Sequence, residues 1–224
     1  VGMGLTRWEY TTQITNYEDI IEISQILTRI NNILIDFSQD IWLYISNNIF
    51  LLKKETSGQV GSSTMPQKIN PINFENAEGN LKLANAGLEF ISSKLPISRL
   101  QRDLTDSTIL RNYGVYIGYS LLSTNNIEKG IKKLEPNRKE IKTQLDNHPE
   151  ILAEAIQCIM RKNGIKDGYE IIRKLTQTHN FENLELFKQK IIISLELNTN
   201  TNTKLKQEIL NLEYSNYLGC LEMN

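Results

Sequence analysis

From about Tyr17 the apolar positions fall into a helical rhythm. Ile20, Ile23, Leu27, Ile30, Leu34, Phe37, Ile41, Ile45 and Ile49 recur at steps of three or four, the spacing that lines one face of an α-helix. The run predicts a helix of roughly 33 residues, about 50 Å long at a rise of 1.5 Å per residue. Ile26, Ile33 and Trp42 add a second apolar stripe. A helix with two apolar faces is expected to be covered on more than one side, in a bundle shared between subunits. Ahead of it, positions 1–16 show no period.

The rhythm stops between Lys53 and Asn73, where Gly58, Gly61, Pro66 and Pro71 punctuate a run rich in hydroxyls. A connection of this length inside a helical protein is usually functional. Helical spacing resumes near Glu75 and runs to about Lys94. Ala77, Gly79, Ala84, Ala86 and Gly87 are small enough there to let neighbouring backbones approach. After Pro96 the stretch Ile97 to Asp106 reads as a loop, and a third helix is expected through about Leu122, with Gly114 and Gly118 one turn apart. Past Ile127 shorter helices are broken by Pro136, Pro149, Gly164, Gly168 and an Asn/Thr-rich run from Asn198 to Thr203. The expectation is an all-α chain. Residues 1–127 form part of a long-helix bundle with a functional loop at 55–72, and residues 128–224 form a smaller all-α domain. No strand pattern and no repeat is evident.

Composition sharpens this mainly by exclusion. The 224 residues carry 25 basic and 26 acidic side chains, a formal net charge of -1, with 40% hydrophobic and 23% charged residues. Disorder is excluded by the apolar fraction and the small net charge. Balanced charge without a basic block gives no general affinity for nucleic acid or an anionic membrane. The most apolar region, Ile33 to Leu52, is interrupted by Asp36 and Asp40, so no membrane span is read. Cys158 and Cys220 stand far apart with no metal-ligand or redox spacing, which suits a reducing, cytoplasmic setting. No metal or cofactor is expected. Val1 opens the chain without an initiator Met, and a segment ahead of it is expected.

Two segments hold the candidate chemistry. Gly61-Ser62-Ser63-Thr64-Met65-Pro66-Gln67-Lys68-Ile69-Asn70-Pro71 joins hydroxyls, a mobile cation and an amide between glycines and prolines. Such a loop brings backbone N–H groups close to a ligand, and Lys68 with Asn70 suits a carboxylate. On spacing alone it reads equally as a solvated polar connection. In the second segment, Arg102 to Arg111, Asp106 reads as an N-cap placing Ser107 and Thr108 in the first helical turn, with Arg111 one turn beyond Ser107. Hydroxyls, free N–H groups and two guanidiniums make a phosphate site, and capping with local Arg–Asp pairs explains the same residues. Gln13 and Asn76 are polar residues of the kind that bind a ligand, and Asn76 also reads as a cap. His148 and His179, the two imidazoles, stand among turn residues and receive no role.

Taken together these strings resemble a known family. The run at 61–71 resembles the signature loop of the fumarase/aspartase superfamily. Ile72-Asn73-Phe74-Glu75-Asn76-Ala77-Glu78-Gly79-Asn80-Leu81 and Ser98-Arg99-Leu100-Gln101-Arg102-Asp103-Leu104-Thr105-Asp106-Ser107-Thr108 narrow the likeness to adenylosuccinate lyases of the bacterial type, from about Gly4 to about Gly168. The resemblance implies the superfamily's long-helix bundle and a homotetramer whose sites draw on three subunits. It implies cleavage of adenylosuccinate to AMP and fumarate, and of the succinyl-carboxamide ribotide SAICAR to AICAR and fumarate. It also implies Ser62 as the catalytic base. Ser63, Lys68, Ile69 and Asn70 would hold the succinyl carboxylates. Gln13, Asn76, Arg102, Ser107, Thr108, Ile109, Leu110 and Arg111 would bind the rest of the substrate, including its phosphate.

The family's general acid is a histidine upstream of the signature loop, and neither His148 nor His179 matches it. The resemblance therefore implies that these residues are the later half of a subunit, which alone turns over little or nothing. The competing readings are another lyase of the superfamily, such as argininosuccinate lyase, and a structural fragment that assembles without catalysis.

Overall fold

The computed structural model describes residues 3–4, 7–53, 70–178, 181, 183–198 and 203–217. The chain divides into two compact units, Val1–Asn137 and Arg138–Asn224. The first is built on α1 (Glu18–Ser46), α2 (Ile72–Lys94) and α4 (Tyr113–Lys132), with the short α3 (Thr105–Leu110) before α4. β1 (Phe50–Leu52) and β2 (Leu134–Pro136) pair antiparallel, with Leu51 opposite Glu135. The second unit contains α5 (Arg138–Asn147), a 3₁₀ turn at Pro149–Leu152, α6 (Ala153–Lys162), α7 (Gly168–Thr178), α8 (Leu184–Asn198) and α9 (Thr203–Leu210). The all-α expectation holds, and no helix among the described residues is long and apolar enough to cross a membrane.

α2 packs along both α1 and α4, which touch one another little. Its buried stripe, Ala77, Leu81, Ala84, Leu88 and Ile91, follows the three- and four-residue steps that set one helix face. Toward one end of the bundle, Ile41, Phe74, Ala77, Leu81 and Ile127 form a core with Leu34, Phe37 and Phe50 against it. Toward the other, Ile21, Ile91 and Leu95 cluster with Tyr17, Ile20, Ile109, Leu110, Tyr113 and Tyr116. Between these apolar ends runs a polar layer. Asn31 Nδ2 donates to Asn85 Oδ1 and to Ser120 Oγ, both at 2.9 Å, and Asn85 Nδ2 donates to Asn32 Oδ1 at 2.7 Å. Each helix contributes at least one member, so sliding any helix by a turn would strand buried amides.

The second apolar stripe on α1, Ile26, Ile33 and Trp42, lies open to solvent, Ile33 at 70% exposure. Ile23 and Ile30, expected on the first stripe, lie open with it, as do Leu83 and Phe90 on α2 and Val115 and Leu121 on α4.

Three expectations are corrected. The helix expected to run unbroken from Asp106 to Leu122 is two helices, because at Arg111 and Asn112 the backbone ψ relaxes to -27° and -6°. The Asn112 N–H then reaches Ile109 O, three residues back, and the α-helical ladder is interrupted. The second helix continues to Lys132, so position 127 falls inside it, and β2 returns to pair with β1. The strands themselves were not expected, since three residues are too few to show alternation.

In the second unit the core is Leu152, Ile156, Met160, Phe187, Ile191, Leu195, Leu205 and Ile209 with their neighbours. Lys188, 0% exposed, sits among them. Its three ammonium donors are all taken, by Glu185 Oε1 and Glu213 Oε1 at 3.1 Å and by Leu210 O at 2.9 Å, which is what makes its burial tolerable.

Candidate functional site

The segment from Ser98 to Arg111 is a loop tied by two aspartates. Asp103 is buried and takes both arms of Arg99, Nε at 2.9 Å and Nη2 at 3.2 Å. It also accepts the Thr105 N–H at 3.0 Å, while its own N–H donates to Ser98 Oγ at 2.9 Å. Between them Leu100 sits in the left-handed region, φ 54°, with its side chain in solvent. That conformation is uncommon for a branched residue, and the bonds to Asp103 on either side of it hold the turn. The Arg99 hydrogen bonds, followed by the Thr105 N–H, hold the Asp103 carboxyl well below the usual carboxylate range.

Asp106 does not cap α3. It is the second residue of the helix, and the N-cap position is Leu104, with no side-chain cap. Asp106 is instead 6% exposed and engaged across the fold: Tyr17 Oη donates to its Oδ2 at 2.8 Å, and the Ser107 N–H donates to its Oδ1 at 2.6 Å. Burial, then the hydrogen bond to Asp106, raises the Tyr17 hydroxyl above its ordinary pKa, with Arg102 acting the other way. Tyr17 itself has a left-handed backbone, φ 62°, at the start of α1, where Glu18 and Asp19 occupy the first turn.

These contacts sort the expected binding residues by face. Ile109 and Leu110 are half-buried and pack against the apolar cluster with Ile21 and Ile91. Arg102, Ser107, Thr108 and Arg111 are exposed. Ser107 Oγ is bonded to Leu104 O at 2.9 Å. Neither Arg102 nor Arg111 makes an ion pair among the described residues, whereas Arg99 does. Two unpaired guanidiniums and the Thr108 hydroxyl on one exposed segment suit an oxyanion, while the Ser107 hydroxyl proton is already given to Leu104 O.

The remaining expected residues are dispersed. Asn70 is half-buried just ahead of Pro71. Asn76 is one turn inside α2, which starts at Ile72 after Pro71. It therefore caps nothing, and its carbonyl accepts from Asn80 Nδ2 at 2.9 Å. Gln13 is exposed beside an open concavity of about 320 Å³ lined by Trp8, Tyr10, Thr11, Thr12 and Asn16. Among the described residues no hydrogen bond joins Gln13, Asn70 or Asn76 to the arginine segment. Ser62, Ser63, Lys68, Ile69, His179 and Cys220 lie outside the described residues. His148 Nδ1 meets Glu150 Oε1 at 3.0 Å before the 3₁₀ turn. No group of three metal-ligating side chains occurs among the described residues.

Tyr17 is the site-building residue that spacing did not reveal. Tyr17 read as one more apolar position at the start of a helix, and its bond to Asp106 spans 89 residues of sequence. Only the local pair Arg99–Asp103, at four residues, carried a visible signal.

Two family models match the chain, one described as "Adenylosuccinate lyase C-terminal" over residues 98–218 and one described as "Lyase" over residues 2–86. The chain is similar to adenylosuccinate lyase of Escherichia coli K12, at 51% identity over 176 residues, covering 79% of this chain and 38% of that protein. It is also similar to the adenylosuccinate lyases of Legionella pneumophila strain Corby, at 46% identity, and Dictyostelium discoideum, at 44%, each covering 97% of this chain and 46% of the relative. The chain thus spans less than half the length of these relatives. Among solved structures it resembles a fumarate lyase (delta crystallin) of Brucella melitensis, with TM-score 0.58 and 15% identity, over 93% of this chain and 45% of that one. That likeness concerns the fold.

Proposed function

The chain belongs to the adenylosuccinate lyase C-terminal family, within the fumarase/aspartase superfamily, and from that premise we propose that the protein carrying it is an adenylosuccinate lyase. Its reaction is a β-elimination. A base takes the proton from the carbon next to a succinyl carboxylate, the C–N bond breaks, and fumarate leaves. AMP remains from adenylosuccinate, and AICAR from SAICAR.

Each role follows from where charge develops. Removing the carbon proton builds a dianionic aci-carboxylate, so fixed donors around that carboxylate lower the barrier most. Lys68 and Asn70, with Ser63 and the loop amides, are the groups assigned to it, and Ser62 is the base. A serine hydroxyl hardly ionises near neutral pH, so Ser62 as a base needs its alkoxide stabilised by neighbouring donors. The leaving nitrogen takes its proton from a histidine in the remainder of the protein. His148 follows the loop in sequence and does not match that family position.

Within the structure one observation carries the reading: Arg102 and Arg111 remain exposed and unpaired on the segment that also presents Ser107 and Thr108. A nucleotide phosphate needs such a set, and argininosuccinate has no phosphate to offer it. The open apolar faces of α1, α2 and α4 support a homotetramer in which copies cover one another; the cytoplasmic setting rests on the likeness to the lyases alone. The test is the complete gene product assayed on adenylosuccinate and argininosuccinate. Turnover of adenylosuccinate alone supports the reading. Turnover of argininosuccinate alone favours another lyase of the superfamily, and tetramers that convert neither favour a structural role.

A further inference from the structure

We propose that Tyr17 is a positioning residue for the phosphate-binding segment: its hydroxyl occupies the Asp106 carboxylate, so that Arg102 and Arg111 stay free for the ligand. The inference rests on the reading above, that this segment holds a nucleotide phosphate.

A buried carboxylate must be hydrogen-bonded, and a guanidinium is the strongest partner within reach of a short loop. Asp103 follows that rule by taking Arg99 in two bonds. Asp106 is buried as well, four residues after Arg102 and five before Arg111, yet its oxygens are satisfied by two neutral donors, the Tyr17 hydroxyl and the Ser107 N–H. A neutral donor fills the carboxylate's need without consuming a cation. The phenol is well suited to this. Its ring is packed against Ile21, Ile91 and Leu95, and its backbone is fixed at the first residue before α1, so the hydroxyl is aimed by the bundle. Burial keeps that hydroxyl protonated, and therefore a donor, through ordinary pH. Arg102 acts against the rise that burial gives the hydroxyl's pKa, and it stands four residues before Asp106 on the same segment.

The account makes a charge-specific prediction. In the complete gene product, Tyr17→Phe leaves Asp106 short of a donor. The carboxylate then recruits a guanidinium, and the dissociation constant for AMP rises about tenfold. Adding Asp106→Asn removes the charge that captures the arginine, and AMP affinity returns to within about threefold of the unsubstituted protein. Binding is read by calorimetry with AMP as the probe, with a thermal melt on each variant. Unchanged AMP affinity in Tyr17→Phe overturns the proposal. So does a double variant that binds AMP no better than Tyr17→Phe, because a merely structural role predicts no rescue. Should Tyr17→Phe not fold, Asp106→Asn alone decides: a loss of AMP affinity of tenfold or more overturns the proposal, and near-normal affinity supports it. Failure of the unsubstituted protein to bind AMP contradicts the functional reading itself, and the inference with it.

Discussion

The ring of Tyr116 on α4 lies where a side chain on residue 87 of α2 would begin: a Cβ at Gly87 would stand 2.3 Å from the ring's Cε1 and Cζ. No real Cβ survives so close an approach, so the two helices meet at this distance only because position 87 is glycine. Gly87→Ala is expected to force the ring or the helix aside, at a cost of about 1–3 kcal/mol. A thermal melt of the purified protein checks it. Since alanine also improves helix propensity by about 1 kcal/mol, an unchanged or higher melting temperature would mean that α4 can shift freely.

The amide layer across α1, α2 and α4 is expected to be costly to break from one side. Asn31→Leu removes the donor to both Asn85 Oδ1 and Ser120 Oγ and leaves a buried acceptor unpaired. The expected loss is about 1–3 kcal/mol. A double-mutant cycle with Ser120→Ala should return a coupling of about 1 kcal/mol. Strict additivity would show that the layer is not cooperative.

Acid should weaken the fold in part through Asp103. Its carboxyl is held low in the fold by the Arg99 bonds and the Thr105 N–H. A depressed folded-state pKa contributes stability that is full above the unfolded value, about 4, and is lost as pH falls through the folded value. Melting temperature measured from pH 7 downward should therefore fall below about pH 4, and Asp103→Asn should flatten part of that fall. Identical acid profiles for the two proteins would contradict the assignment.

Lys188 allows a sharper distinction. Its partners Glu185 and Glu213 are largely solvent-exposed, so removing the ammonium strands no buried charge. Lys188→Met, which keeps the volume, is expected to change stability by less than about 1.5 kcal/mol, while Lys188→Ala opens a cavity and costs about 2–4 kcal/mol. Equal losses in the two variants would mean that the ion cluster, and not the packing, holds α8.

The parts of this fold that were legible in sequence are those encoded by period. Ile20 to Ile45 marked α1, and Ala77, Ala84 and Gly87 marked the close-packed face of α2, whereas Gly79 and Ala86, expected on that face, are exposed. What stayed hidden was set by contacts distant in sequence. Phe50–Leu52 becomes a strand only because Leu134–Pro136 returns beside it. Asp106 read as a cap because an aspartate ahead of Ser107 usually is one, and its role as the acceptor for Tyr17 depends on a residue in another helix. In the candidate site, residue types pointed to Arg102, Ser107, Thr108 and Arg111 as candidate ligand groups, and all four are exposed. Residue types could not show that Ile109 and Leu110 pack against the apolar cluster, since a six-residue helix is too short for its buried side to be read from spacing.

We propose that the protein containing this chain eliminates fumarate from a succinyl-purine nucleotide, with Ser62 as the base. The most direct measurement is the yield of AMP and fumarate from adenylosuccinate, resolved chromatographically, for the complete gene product and its Ser62→Ala variant. The account predicts equimolar AMP and fumarate from the first and a rate lower by several orders of magnitude in the second, with AMP binding largely retained. Near-normal product formation by Ser62→Ala would contradict it.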